Sequence, residues 1–85
     1  MASYELVFKK SVAKDLRALP KQDVKRIMQR VRALANEPRP VGCEKLSGQE
    51  RYRIRQGVYR VVYEIQDRRL VVLVVKVAHR RDVYR

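Results

Sequence analysis

Apolar and polar residues alternate along residues 51–64, RYRIRQGVYRVVYE, in two short runs. Tyr52 and Ile54 fall between Arg51, Arg53 and Arg55, and Tyr59, Val61 and Tyr63 alternate with Val58, Arg60 and Val62. A period of two is the pattern of strands. Gln56 and Gly57 separate the runs, and glycine's tolerance of positive φ suits a tight hairpin turn there. With that turn, Arg55 pairs with Val58 and Ile54 with Tyr59. Arg53 then stands opposite Arg60, on the face that carries Arg51 and Arg55. Directly opposed like charges destabilise a sheet, so a hairpin that keeps them suggests a bound anion. The plainer reading is a solvated basic face whose charge discourages edge-to-edge aggregation.

Upstream of the hairpin the period changes. Residues 4–8 read as a short first strand. From Ser11 the apolar positions Val12, Leu16 and Leu19 recur at helical spacing, and Pro20 marks a break. A second helix is predicted over residues 21–36, with Val24, Ile27, Met28, Val31, Leu34 and Ala35 on one stripe and Lys21, Lys25, Arg26, Arg30 and Arg32 on the other face. Residues 37–50, with Pro38, Pro40, Gly42 and Gly48, read as a connector. After the hairpin, a turn over residues 66–69 leads to an apolar strand over residues 70–77, a pattern expected of a strand buried on both sides. The order β-α-α-β-β-β predicts an α+β fold, with two N-terminal helices packed on one face of a small, mainly antiparallel sheet.

That order also has a consequence for the tail. If the last turn has four residues, Arg60 lies opposite Val75 and the chain leaves the sheet beside Arg55 and Gly57. His79, Arg80, Arg81 and Tyr84 then reach the end of the sheet that holds Arg53, Arg55 and Arg60. Two charge clusters distant in sequence are expected to converge.

Composition sharpens this picture. Eighty-five residues allow one domain, residues 1–85, and a chain of that size buries only about 60% of its unfolded surface. Lys and Arg total 21 against 9 Asp and Glu, a formal charge of +12, which calls for a polyanionic partner and points to nucleic acid bound through phosphates. One cysteine, Cys43, allows no internal disulfide, and with one histidine there is no Cys/His zinc cluster. Cys43 is read as an incidental thiol. The start, MASYELVF, has no signal-peptide pattern, and the longest apolar run, residues 70–75, is too short to span a bilayer as a helix. The expectation is a soluble, cytoplasmic protein with no membrane role.

The motifs of most enzymes are missing: no Ser/His/Asp grouping, facing carboxylate pair, glycine-rich phosphate loop or metal cluster is evident. No metal and no cofactor are expected. RNA cleavage needs none of these, because the 2′-hydroxyl is a nucleophile within the substrate. The protein must orient that group, stabilise added negative charge and move two protons. Guanidinium groups suit the charge, since their planar fork matches phosphate oxygens. They cannot remove the proton, which leaves His79 and Tyr84 as the proton carriers visible in the sequence. A histidine has an ordinary pKa near 6.5, suited to acid–base work, although a lone one at a strand exit often serves only as a hydrogen-bonding surface group.

YRIRQGVYRVVYEI followed by VVKVAHRRDVY resembles the RelE/ParE superfamily of toxins from toxin–antitoxin pairs, in its RelE branch. The resemblance implies a ribosome-dependent endoribonuclease that cuts mRNA in the A site, alongside rRNA, and inhibits translation. It also implies a cognate antitoxin, acidic and amphipathic, wrapped over the basic surface in a toxin–antitoxin hetero-oligomer. By motif, Arg53 and Arg55 match two basic positions of the first hairpin strand, Arg60 the arginine of the second, Arg80 the basic residue after the last strand, and Tyr84 the terminal tyrosine. The catalytic set so implied is Arg53, Arg60, Arg80 and Tyr84, with His79 added from its chemistry; Arg51, Arg55 and Arg81 would bind RNA phosphates. Two departures stand out. Some members carry lysines where this chain has Arg53 and Arg55, which rules out a lysine base here, and Ala78 stands where glycine is frequent. The alternative within the superfamily is a ParE-like inhibitor that binds DNA gyrase and cuts nothing.

Overall fold

The computed structural model of the chain describes residues 3–46 and 50–81. Strand β1 (Glu5–Phe8) is followed by helices α1 (Lys10–Arg17) and α2 (Lys21–Ala33), and then by strands β2 (Glu44–Lys45), β3 (Arg51–Gln56), β4 (Tyr59–Gln66) and β5 (Val71–His79). They form one sheet in the order β1-β5-β4-β3-β2. β1 runs parallel to β5 and every other pairing is antiparallel. The α+β class and the two helices are as the periodicity predicts. The connector holds one more strand than expected, β2, whose two residues are too few for any period to show in the sequence.

Both helices begin without a side-chain cap. At α2 the deficit is offset by Pro20 at the N-cap, whose fixed φ suits helix entry, by Asp23 in the first turn and by Arg30 and Arg32 in the last. The helix stops at Ala33 rather than Asn36, because the backbone N–H groups of Leu34, Ala35 and Asn36 each donate three residues back, tightening the final turn. The Ala35 carbonyl, freed by that tightening, accepts the Tyr4 N–H at 2.7 Å and fixes the start of β1.

Val12 of α1 and Ile27, Val31 and Leu34 at α2 pack with Ile54, Val61, Tyr63, Ile65, Val72, Val74 and Val77 of the sheet. These sheet residues alternate in register: Ile54 faces Val61, and Val61 faces Val77. One face of the sheet is therefore the core, and the arginines of β3 and β4 occupy the other. β5 lies between two strands as predicted, but its far face is only part buried, with Lys76 exposed.

At the end of the sheet where β3 begins, the connector is clasped to its surroundings. Tyr63 Oη donates to the Pro38 carbonyl at 2.7 Å. Arg39 donates to both carboxylate oxygens of Asp67, in the β4–β5 turn, and to Tyr52 Oη, while its guanidinium lies 5.3 Å from the Tyr52 ring centroid. Tyr4 Oη donates to the same Asp67 at 2.8 Å. The hydrogen bond from Arg39, followed by that from Tyr4, holds the Asp67 carboxyl below its ordinary value. A lowered carboxylate pKa contributes stability that is present above the unfolded-state value, near 4, and is lost as pH falls through the folded one. The parent is therefore expected to lose more stability than Asp67→Asn does between neutral pH and about pH 3. Urea unfolding across that range, with the two proteins falling in parallel, would show that the clasp does not contribute.

Candidate phosphate-binding site

The hairpin turn consists of Gly57 and Val58, one residue later than predicted, with Gly57 at φ +62°. Positive φ at only the first of two central positions is the type II′ arrangement, which glycine accepts without strain. Gln56 then pairs with Tyr59, and Arg55, not Arg53, stands directly opposite Arg60. Because each β3 residue now meets a partner two positions further along β4, the alternation of faces is preserved. Arg53 and Arg60 share a face, as diagonal neighbours rather than opposed ones.

The pairing of β4 with β5 also departs from the expected register. The last turn comprises residues 67–70, with Leu70 at φ +54°, so that β5 begins at Val71. Tyr63 pairs with Val74 while Val62 pairs with Lys76, leaving Val75 as a bulge. Arg60 therefore lies opposite Ala78, not Val75. The chain nonetheless leaves the sheet at the predicted end, where the Arg80 backbone N–H donates to the Val58 carbonyl at 2.8 Å and ties the β5 exit to the hairpin turn.

Arg53 and Arg60 are 6% and 7% exposed, unusual burial for arginines, whereas Arg55 and Arg80 are open to solvent. Burial pushes the Arg60 guanidinium below its ordinary range, the positive charges of Arg53, Arg55 and Arg80 push the same way, and Glu44 opposes them. Arg60 still carries its charge at neutral pH, because arginine starts so high. Three cations from β3 and the β5 exit thus act on a fourth in β4. An anion bound among them would relieve that repulsion, and the planar guanidinium forks suit a phosphate.

The other predicted residues are placed differently. Arg51 is at the far end of β3, paired with Glu64 at 3.3 Å. His79 reaches the predicted end of the sheet but the opposite face: it pairs with Tyr59, whose hydroxyl donates to Asp23 of α2 at 3.1 Å. The His79 and Tyr59 rings meet edge to face, their centroids 6.1 Å apart, and His79 Nδ1 accepts the Arg81 backbone N–H at 3.3 Å. Strand alternation, not proximity along the chain, separates this imidazole from the arginines. Arg81 is exposed at the turn. Tyr84 lies outside the described residues.

One contributor has no place in the sequence reading, and one helix cation is brought to the edge of the hairpin. Glu44 of β2 lies directly opposite Arg53, and its Oε2 accepts from Arg53 Nη2. Arg30 of α2 reaches the edge of β3, with Nε donating to the Arg55 carbonyl at 3.5 Å. A single acid in an irregular connector and one cation among many on a helix carry no sequence signal of their own. Among the described residues no group of three or more His, Cys, Asp or Glu side chains gathers as a metal site, and no helix is long and apolar enough to cross a membrane.

The molecule is thus a sheet with two helices on one face and a cluster of arginines on the other. The family described as ParE toxin of type II toxin-antitoxin system, parDE, matches residues 6–84, and the chain belongs to it as a RelE-like toxin of a type II toxin–antitoxin system. It is 31% identical to Toxin RelG of Mycobacterium tuberculosis, over 96% of this chain and 97% of that protein. Among solved structures it is similar to RelE in the archaeal RelE–RelB complex of Pyrococcus horikoshii, with TM-score 0.84, 31% identity and coverage of 95% and 99% of the two chains. The isolated RelE toxin of E. coli is similar as well, with TM-score 0.80, 29% identity and coverage of 96% and 92%.

Proposed function

We propose that this toxin is a single-domain, ribosome-dependent endoribonuclease that cleaves mRNA in the A site without a metal ion. The observation that carries the reading is the convergence of Arg53, Arg55, Arg60 and Arg80 on one face and one end of the sheet, with Arg60 nearly buried among like charges. In the proposed step the substrate's 2′-oxygen attacks the adjacent phosphorus as its proton leaves. The bond from phosphorus to the 5′-oxygen breaks, and that oxygen takes up a proton. The products are a 2′,3′-cyclic phosphate, which water can open to a 3′-phosphate, and a 5′-hydroxyl.

Arg60 and Arg53 hold the non-bridging oxygens as charge builds on them. Arg55 supports the same phosphate or its neighbour, and Arg80 sits towards the leaving oxygen. Tyr84 stacks on a nucleotide and shuttles a proton. Arg81 binds backbone phosphate at the rim. The placement of His79 against Tyr59 favours a role in fixing the β5 exit over one in proton transfer, and the Glu64 pairing of Arg51 leaves it a minor electrostatic part.

The similar RelE toxins occur in complexes with the antitoxin RelB, which supports a cognate antitoxin here, with acidic side chains over the arginines. A ribosomal target places the action in the cytoplasm. A second reading is kept because the matching family carries the ParE description: inhibition of DNA gyrase by binding alone. The two part cleanly in a paired assay of purified toxin, with programmed ribosomes in one reaction and gyrase with plasmid in the other. The expected outcome is cut message and undisturbed supercoiling; intact message with blocked gyrase would select the second reading.

A further inference from the structure

The carboxylate of Glu44 sits where the proposed substrate's charge is meant to go. Glu44 and Arg53 face each other across β2 and β3 and form an ion pair. The two partners are unequally fixed. The Arg53 side chain is 7% exposed, held within the sheet, whereas that of Glu44 is 54% exposed on a two-residue edge strand. Any exchange of partners therefore moves the carboxylate, which water can receive, and leaves the guanidinium in place. A carboxylate also offers the paired oxygens that a guanidinium takes from a phosphate. The charge of Glu44 favours the cationic form of Arg60, against the charges of Arg53, Arg55 and Arg80, which is the electrostatic part a phosphate would play. Two anions among these arginines would repel each other.

We propose that Glu44 is a built-in substitute for the RNA phosphate: its carboxylate occupies Arg53 in the free protein and yields that position to a phosphodiester oxygen, so that Glu44 sets the affinity of the site for single-stranded RNA. The inference rests on the nuclease reading of the same face. It accounts for an acidic residue set directly against the cluster of arginines. An occupied Arg53 lowers adhesion to arbitrary polyanions, and a correctly positioned phosphate, held also by Arg60 and Arg55, competes successfully.

The test uses a fluorescently labelled, single-stranded 2′-O-methyl RNA, which cannot cleave itself, in an anisotropy titration of the full chain. Glu44→Gln keeps an oxygen acceptor for Arg53 while removing the charge. It is expected to bind about ten-fold more tightly than the parent, the effect of one like charge removed at close range in a partly buried site. Glu5→Gln makes the same change in net charge at the exposed edge strand β1 and is expected to stay within about twofold, as a screened surface charge should. Glu44→Gln binding no better than Glu5→Gln would overturn the proposal. So would unchanged affinity combined with lost cleavage, which would make Glu44 a proton acceptor. A readout on the parent avoids any folding defect: the Glu44 carboxyl carbon resonance should shift on saturation with the RNA, and an unmoved resonance would also overturn the proposal. If Arg60→Ala binds the RNA as well as the parent does, the failure lies with the site and not with Glu44.

Discussion

Arg60→Ala is expected to lower the rate of mRNA cleavage on programmed ribosomes by at least about 100-fold, the loss found when one donor to a developing oxyanion is removed from a preorganised site. Arg60 carries the largest share because it is nearly buried and lies within reach of Arg53, Arg55 and Arg80. Lysine at this position keeps the charge but not the planar fork, so Arg60→Lys should recover only part of the rate. The folded state should not suffer in proportion. The charges of Arg53, Arg55 and Arg80 act against a cation at this position, and thermal melts of parent and Arg60→Ala are expected to lie close together. Arg51→Ala serves as the comparison: its guanidinium is tied to Glu64 at the far end of β3, and cleavage is expected to change by no more than about threefold, as for a screened surface pair. Equal losses at both positions would mean that net charge alone, and not the arrangement of the cluster, drives the activity.

Ile27→Ala is the substitution expected to cost most stability. Ile27 is fully buried, on the face of α2 that packs against the sheet. Trimming such a side chain typically costs about 2 to 5 kcal/mol, combining lost transfer free energy with the cavity left behind. Against a domain stability of about 5 to 15 kcal/mol the loss is large, and for a chain of this size it corresponds to a fall in melting temperature of roughly 10 to 40 °C. Urea denaturation should show the change in midpoint with little change in slope. A shift of under about 0.5 kcal/mol, as at a typical surface position, would contradict the assigned packing of α2.

How far the sequence reached depended on how many residues each feature spans. The helices and long strands are readable because several apolar positions repeat at one period, from Val24 through Val31 in α2 and from Tyr52 through Tyr63 in the hairpin. Register depends on single residues, which no repeating period encodes. Whether Gln56 or Val58 joins Gly57 in the turn is decided by backbone dihedrals, and Leu70 leaves the strand to adopt a positive φ that its apolar character does not advertise. The faces of Arg53 and Arg60 survived because the hairpin slip was by two residues. His79 went to the other face because, with the bulge at Val75, it pairs with Tyr59. Glu44 was invisible for a different reason: its significance comes from a partner nine residues away across a two-residue strand.

The central claim, that the arginine cluster acts on a nucleophile supplied by the RNA itself, is tested most directly by a message carrying one 2′-deoxynucleotide at the mapped cleavage position, loaded in the A site beside its all-ribose counterpart. The account predicts that the ribose message is cut, leaving a 2′,3′-cyclic or 3′-phosphate and a 5′-hydroxyl, while the deoxy message stays intact at that position. Cleavage of the deoxy message at the same position, leaving a 5′-phosphate, would contradict it.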